Sequence, residues 1–334
     1  MQADIILNTK KLDIGYGSTY IAKNLMLQLY AGEMVCLIGP NGCGKSTLIR
    51  TLVGLQDSLG GNIEIKNKKL NKISLSDKSK LISWVLTDNM PTGSLRVSEI
   101  VEMGRFPYTN LFGKLSDKDK KIIDDSINAV HLSHKKDYRY SSLSDGEKQR
   151  TMIAKALAQD TPIIFLDEPT SHLDLPNTIE IMQLLQSLAR KTKKAILLST
   201  HELELTLQVA DKIWMMTPNK LTRGLPEDLI LSGSLQKTFG TEHFRFDETT
   251  GGFRMNYSAS KEVSLSGDKG VFYYWTERAL LRNGYKITEN SPLWINIKGD
   301  GKWDLHLDTH YQEYYTIENL LFTMSEWETK FLSE

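Results

Sequence analysis

The stretch Gly39-Pro40-Asn41-Gly42-Cys43-Gly44-Lys45-Ser46-Thr47 decides how this chain is read. It follows an apolar run, Met34 to Ile38, and opens into a helical pattern from Ser46 to Leu55. Strand, glycine-rich loop and helix therefore stand in the order that the spacing G-x-x-x-x-G-K-[ST] requires. Glycines let the backbone curl until successive N–H groups point inward and cradle phosphate oxygens. Lys45 is placed to reach the terminal phosphates of a nucleoside triphosphate, and the Ser46 hydroxyl to ligate Mg²⁺. The helix that starts here adds the positive end of its dipole. A nucleoside triphosphate and Mg²⁺ are accordingly the expected ligands.

Composition narrows the setting. The chain has 334 residues, enough for two domains, and its 41 basic side chains balance 41 acidic ones. Net charge gives no nucleic-acid footprint, and no nucleic-acid partner is expected. The two cysteines, Cys36 and Cys43, both lie in the strand and loop just quoted. They form neither a disulfide framework nor a metal set and fit a reducing compartment. The opening MQADIILNTKKL lacks the apolar core of an export signal, and no apolar run is long enough to span a bilayer. The expectation is a soluble cytoplasmic chain that reaches a membrane only through a partner.

Outward from the loop, residues 5–12 and 25–30 read as short strands, with Leu25, Leu27 and Leu29 alternating. Between them Gly15-Tyr16-Gly17 offers an aromatic either for adenine stacking or for closing a hairpin. Strands are expected at Ile63–Ile65 and Ile82–Leu86, and helices over 97–105 and 117–132, the second capped by Ser116. Between those helices the run Arg105 to Gly113 (RFPYTNLFG) suits a docking surface or local packing. In Ser142 to Arg150, Ser144 is an N-cap with Glu147 in the capping-box position.

Ile163 to Leu166 reads as a buried parallel strand that ends in Asp167 and Glu168. Carboxylates at the carboxyl edge of such a sheet belong beside the nucleotide. Asp167 would hold Mg²⁺ and Glu168 would orient or deprotonate the attacking water. A turn over Pro169–Asp174, a helix over Thr178–Arg190 and a strand over Ala195–Ser199 lead to His201, placed to contact a γ-phosphate. Glu202–Ala210 reads as helix and Asp211–Met216 as the last core strand.

Four motifs now stand in order: Gly39–Thr47, Leu143–Glu147, Ile163–Glu168 and His201. Together they resemble the ATP-binding subunit of ABC transporters, over roughly residues 3–257. Within that family the chain looks most like importers of the iron–siderophore, heme and vitamin B12 (cobalamin) type. The likeness rests on Val97 to Pro107, Leu115 to Asp119, Ala154 to Gln159 and Phe239-Gly240. The resemblance implies an α/β fold: a P-loop NTPase (RecA-like) core with an antiparallel β subdomain and a helical subdomain near 88–160.

Carried over residue by residue, it gives Tyr16 the adenine, and Gly39, Pro40, Asn41, Gly42, Cys43, Gly44, Lys45, Ser46 and Thr47 the phosphates. Asp167 takes the metal, Glu168 becomes the catalytic carboxylate, Ser171 to Asp174 the D-loop and His201 the switch histidine. Ser144, Asp145, Gly146 and Glu147 fall on the signature, normally Leu-Ser-Gly-Gly-Gln with its leucine at Leu143. Such proteins work as head-to-tail homodimers on an integral-membrane permease, at the cytoplasmic face of the inner (plasma) membrane. A periplasmic substrate-binding protein takes part indirectly.

Two positions depart from the family. Asp145 and Glu147 replace glycine and glutamine, and two negative charges near a triphosphate are tolerable only if both side chains turn away. The glutamine expected after Ile82–Leu86 is absent, so Thr87, or the neighbouring Asp88, takes the place of that metal contact. Two other readings stay open: a soluble non-transport ABC ATPase, and an ATP-sensing module with weak hydrolysis. The first usually has paired ATPase units or long coiled-coil insertions, and neither is visible.

Residues 258–334 change in character, with 13 of the chain's 29 aromatics and eight basic against twelve acidic side chains. Strands are expected at Val263–Leu265, Tyr285–Thr288, Leu293–Ile297 and Trp303–Leu307, with a turn at Gly299–Gly301. Helices are expected at Phe272–Arg282 and Ile317–Trp327. This makes a small α+β domain whose aromatics are core or a ligand surface, with regulation or dimer contact as its use.

Overall fold

A computed structural model describes residues 4–86, 94–109 and 113–331, with side chains through Trp327. Thr87 and Asp88, and Leu111 and Phe112 of the aromatic run, lie outside the described residues. The chain divides into two units, residues 1–240 with 246–252 and residues 241–245 with 253–334. The division thus falls earlier than the expected 257, and the chain passes between the units more than once.

The first unit opens with β1 (Ile5–Tyr16), β2 (Thr19–Leu25), β3 (Gln28–Tyr30), β4 (Met34–Ile38) and α1 (Lys45–Val53). Then come β5 (Gly60–Ile65), β6 (Lys68–Lys69), α2 (Leu75–Lys78), β7 (Ile82–Val85), α3 (Val97–Glu102), α4 (Asp117–Ala129) and α5 (Asp145–Ala158). It continues through β8 (Ile163–Leu166), α6 (Leu175–Thr192), β9 (Ala195–Ser199), α7 (Leu203–Val209), β10 (Lys212–Thr217) and β11 (Lys220–Gly224). Two short helices, α8 (Pro226–Leu231) and α9 (Ser234–Phe239), follow.

The main sheet runs β11-β10-β4-β9-β8-β7, parallel except for the β10–β11 pair. Every residue of β4, β8 and β9 is buried, as expected for strands covered on both faces. The period of two sorts their side chains. Met34, Cys36, Ile164, Leu166, Ile196 and Leu198 join the core beneath α5 and α6. Val35, Leu37, Ile163, Phe165, Ala195 and Leu197 join the core shared with β1 and α1. Because β4, β9 and β8 are neighbours, the segments leaving their carboxyl ends share one edge of the sheet. Those segments are the phosphate loop, Thr200-His201 and Asp167-Glu168.

The antiparallel sheet runs β2-β1-β5-β6, with β3 also on β1. Leu25, Leu27 and Leu29 are buried in alternation, as expected, but they do not form one strand. The chain breaks at Leu27, whose N–H donates to Thr9 Oγ1 (2.8 Å) while its carbonyl accepts from Thr9 N–H (2.9 Å). A side-chain hydroxyl thus replaces a ladder bond. The helix expected over 97–105 likewise ends early: α3 stops at Glu102 and tightens to a 3₁₀ segment, Met103–Tyr108. That segment lies so close to α5 that a Cβ on Gly104 would be 2.4 Å from the Lys155 carbonyl.

In the second unit the strands Tyr285–Thr288, Lys261–Gly267, Leu293–Lys298, Lys302–Leu307 and His310–Tyr314 lie side by side in that order. The first three are parallel and the rest antiparallel. Helices Val271–Arg282 and Ile317–Phe331 complete the α+β unit. The strand His310–Tyr314 escapes the sequence because only Tyr314 of its five residues is buried. The aromatics divide between core and surface. Trp303 is buried, with its indole N–H on Thr276 Oγ1 (2.7 Å), whereas Trp275 is 54% exposed and Trp294 stacks on His306 at 3.6 Å.

Candidate functional site

The loop leaving β4 needs glycine for two distinct reasons. Gly44, the residue before α1, has φ 106°, and a Cβ there would be 2.3 Å from Ile21 Cγ2. Gly39 has φ 154°, and a Cβ there would be 2.1 Å from the Met216 carbonyl. Both values favour residues without a side chain. Lys45 is buried and folds back over the loop, its Nζ donating to the carbonyls of Gly39 (2.8 Å) and Pro40 (3.3 Å). Pro40, Asn41, Gly42 and Ser46 are exposed. Cys43 is buried, and burial pushes its thiol up against the pull of Lys45. Burial of Cys36 raises its thiol to about 12. Neither cysteine is therefore a thiolate near neutral pH.

Tyr16 ends β1 opposite Thr19, so it does close a hairpin. Its ring is nonetheless 53% exposed, and its hydroxyl lies 3.2 Å from Thr47 Oγ1 at the end of the phosphate loop. Hairpin closure and an aromatic face beside the loop are thus compatible.

At the neighbouring strand end, Asp167 N–H donates to the Val85 carbonyl (3.0 Å). Ser199, the last residue of β9 and fully buried, donates from Oγ to Asp167 Oδ1 (2.6 Å) and accepts from Glu168 N–H (2.9 Å). One hydroxyl therefore holds both carboxylate residues. Glu168 takes the left-handed conformation (φ 48°), which costs a non-glycine residue on the order of 1–3 kcal/mol and clusters at functional sites. His201 Nε2 lies 2.7 Å from Glu168 Oε1, and Ser171 Oγ donates to the Glu168 carbonyl (2.8 Å). The imidazole expected to face a phosphate is here bonded to the carboxylate, a pair able to share a proton.

Ser199 belongs to none of the four motifs, and its only mark in the sequence is as the first of two hydroxyl residues that close the apolar run Ala195 to Leu198. Ser199→Ala is expected to lower steady-state phosphate release roughly 10–100-fold with ATP affinity little changed, as removal of an orienting partner does. Unchanged turnover would remove Ser199 from the site.

The N-terminus of α5 carries the capping box read from the sequence. Glu147 N–H donates to Ser144 Oγ (3.3 Å) and Ser144 N–H to Glu147 Oε2 (3.0 Å). The Lys135 ammonium also bonds Glu147 and, followed by Ser144, holds its carboxyl below the usual range. Asp145 is 68% exposed on its side chain and pairs with Lys148 at 2.9 Å. Both extra negative charges thus have a lysine partner on the same molecule. Gly146 is buried, and a Cβ there would come within 2.7 Å of Asn177 Oδ1.

Asp174, which ends the D-loop and is a further expected nucleotide contact, caps α6 within this chain, accepting from Asn177 N–H (3.0 Å) and Nδ2 (2.7 Å). A cavity of about 190 Å³ is lined by Asp145, Lys148 and Gln149 of α5 together with Glu168 and His172. The Gln149 Nε2 is buried without a partner among the described residues.

The donor chemistry fits Mg²⁺. Ser46 presents an exposed hydroxyl and Asp167 a carboxylate, and no group of three or more His, Cys, Asp or Glu gathers into a metal cluster among the described residues. Mg²⁺ takes one or two protein oxygens and completes its shell with phosphate and water. Thr87, the third expected ligand, lies outside the described residues.

Residues 22–171 match the ABC transporter family, and residues 260–324 match the iron ABC transporter C-terminal domain. An uncharacterized ABC transporter ATP-binding protein of Methanocaldococcus jannaschii is 35% identical over 287 residues, covering 84% of this chain and 98% of the relative. The iron(3+)-hydroxamate import ATP-binding protein FhuC of Bacillus subtilis is 39% identical over 198 residues, 59% of this chain and 73% of FhuC. Among solved structures, an inward-facing transporter described as of the metal-chelate type aligns with a TM-score of 0.63 at 28% identity. That alignment covers 72% of this chain and 90% of the other.

Proposed function

The chain belongs to the ATP-binding proteins of ABC transporters, and we propose that it is the ATP-hydrolysing subunit of an importer for iron–siderophore chelates, with heme and cobalamin as the neighbouring cargo classes. The observation that carries this reading is the junction of three adjacent strand ends. There the phosphate loop, the Asp167-Glu168 pair and His201 share one sheet edge, with His201 2.7 Å from Glu168. The iron-type domain match at 260–324 supports the cargo class.

In this reading the loop N–H groups and the N-terminus of α1 take the phosphates of ATP. Lys45 exchanges the Gly39 and Pro40 carbonyls for phosphate oxygens, and Tyr16 stacks on the adenine. Ser46 and Asp167 would hold Mg²⁺, which would supply positive charge to offset that of the phosphates. Glu168 orients the attacking water and takes its proton, while His201 fixes the carboxylate. Ser144 and Gly146 of a second copy close over the γ-phosphate, which makes the head-to-tail homodimer part of the mechanism. The segment from Arg105 to Tyr108, with Phe106 63% exposed, receives the permease at the cytoplasmic membrane face. A periplasmic binding protein delivers the cargo.

The ATP-sensing alternative draws on Thr87, which lies outside the described residues, and on the charges of Asp145 and Glu147, whose pairing with Lys148 and Lys135 weakens it. The test is reconstitution with the cognate permease in proteoliposomes. ATP turnover should rise severalfold when a binding protein loaded with an iron(III)–siderophore complex is added. Stimulation by cobalamin or heme instead would reassign the cargo, and absence of any phosphate release would sink the ATPase reading.

A further inference from the structure

Between β5 and β7 the sequence reads Lys66-Asn67-Lys68-Lys69-Leu70-Asn71-Lys72, then Leu75, Asp77, Lys78 and Lys80. Six lysines and no arginine stand in fifteen residues, in a chain whose formal charge is zero. A left-handed turn at Lys66 (φ 46°) and Asn67 (φ 63°) folds β6 back on β5, and buried Leu70 anchors the segment. Lys66, Lys68, Lys69, Lys72 and Lys80 are exposed. Among the described residues none of the five is in an ion pair.

The two nearby carboxylates leave the lysines in excess. Glu64, opposite Lys69, is taken by Lys10 at 3.0 Å, and Asp77 accepts from Ser74 Oγ at 2.8 Å. Lys78 turns to a different recess, beside Asp57. Lys68, Lys69, Lys72 and Lys80 surround one open recess with Asp77. In the same segment Leu75 is 82% exposed. Lys80 Nζ lies 5.7 Å from the ring centroid of Tyr108, so the patch runs on into the Arg105–Tyr108 segment.

We propose that this patch binds the anionic headgroups of the membrane surface directly, with Leu75 dipping into the headgroup boundary. Polybasic clusters are drawn to anionic leaflets, and an apolar side chain among lysines is rewarded at an interface and nowhere else in water. Nucleic acid would favour arginine, whose planar fork matches phosphate bidentately, and this segment has none. The patch would hold the subunit flat against the leaflet beside its permease. That orientation rests on the importer reading, whereas the lipid affinity itself does not.

The test is sedimentation of the purified full chain with vesicles of phosphatidylcholine alone and of phosphatidylcholine mixed with phosphatidylglycerol. Binding is expected only to the anionic vesicles, weakening steeply with added salt. Each lysine changed to glutamine should cost about fivefold, so Lys68→Gln/Lys69→Gln/Lys72→Gln together should lower affinity about a hundredfold with ATP turnover unchanged. Leu75→Ala should weaken binding without altering its salt dependence.

Equal binding to neutral vesicles, a triple variant that binds like wild type, or binding indifferent to salt would each overturn the proposal. So would displacement by millimolar inorganic phosphate, or preference for a DNA duplex over anionic vesicles. The salt series uses wild-type protein and keeps the test valid should the triple variant misfold. Phe106→Ala should lose co-purification with the permease yet keep vesicle binding, which separates failure of the docking reading from failure of this one.

Discussion

Glu168→Gln is expected to lower steady-state phosphate release roughly 10²–10⁴-fold while leaving ATP binding intact, the size of effect that loss of a positioned general base produces. The substitution keeps the volume of the side chain and its ability to hydrogen-bond His201 and Ser171. It removes only the capacity to take a proton from water. The left-handed backbone at residue 168 and the bond from its N–H to Ser199 do not depend on the carboxylate, so the site keeps its shape. With hydrolysis blocked, ATP should trap the closed pair of subunits. Size-exclusion chromatography with and without ATP should show a dimer in the variant at concentrations where the wild type is monomeric. Near-normal hydrolysis in Glu168→Gln would show that another group activates the water, and the Ser199 prediction would then lose its basis.

Arg105→Ala is expected to destabilise the first unit by about 3–5 kcal/mol, the cost of leaving one partner of a buried ion pair behind. The Arg105 side chain is only 5% exposed, with Nη2 2.8 Å and Nε 2.9 Å from Asp119 Oδ1. Its Nη1 also donates to the Ala158 carbonyl at 2.7 Å. One guanidinium thus ties the 3₁₀ segment to α4 and to the end of α5. Asp119 keeps some compensation, because Ser116 donates to it from N–H (2.9 Å) and Oγ (2.5 Å), which places the loss toward the lower end of that range. Urea unfolding should show a lower midpoint at unchanged slope, and Asp119→Asn added to the variant should recover part of the loss.

The pH dependence follows from the same pair. Hydrogen bonds from Ser116, then Arg105, hold the Asp119 carboxyl below its ordinary value. A depressed folded-state value contributes stability above the unfolded carboxylate range, near 3.9, and that stability is lost as pH falls through the folded value. Removing Arg105 should therefore flatten the acid side of the stability profile. A variant as stable as wild type at neutral pH would mean that water replaces the guanidinium.

The features legible in the sequence are those encoded within a few residues. Gly39 to Thr47 dictated a strand–loop–helix because its glycines and spacing permit little else. The Ser116 cap and the box Ser144–Glu147 are bonds across three residues, and both formed at helix termini. The period of two in β4, β8 and β9 sorted their side chains into two cores without reference to neighbours. Cooperation between local pattern and global fold is what makes such signals reliable.

What needed the tertiary structure joins residues that no local motif links. Ser199 became the link between Asp167 and Glu168, and His201 found Glu168, only because β8 and β9 are adjacent in the sheet. Trp294 and Trp303 look equivalent in sequence, yet strand register sends one to the surface and the other to the core. The strand expected over 25–30 failed at Leu27 because Thr9, eighteen residues earlier, supplied a competing hydroxyl. Asp145 and Glu147 looked like misplaced charge until helix geometry paired one with Lys148 and the fold paired the other with Lys135. The sequence alone therefore determined which chemistry the chain carries, since phosphate-cradling loops and strand-end carboxylates are local designs. The fold alone decided which side chains hold that chemistry in place, because hydrogen bonds and ion pairs depend on distance in space and not along the chain.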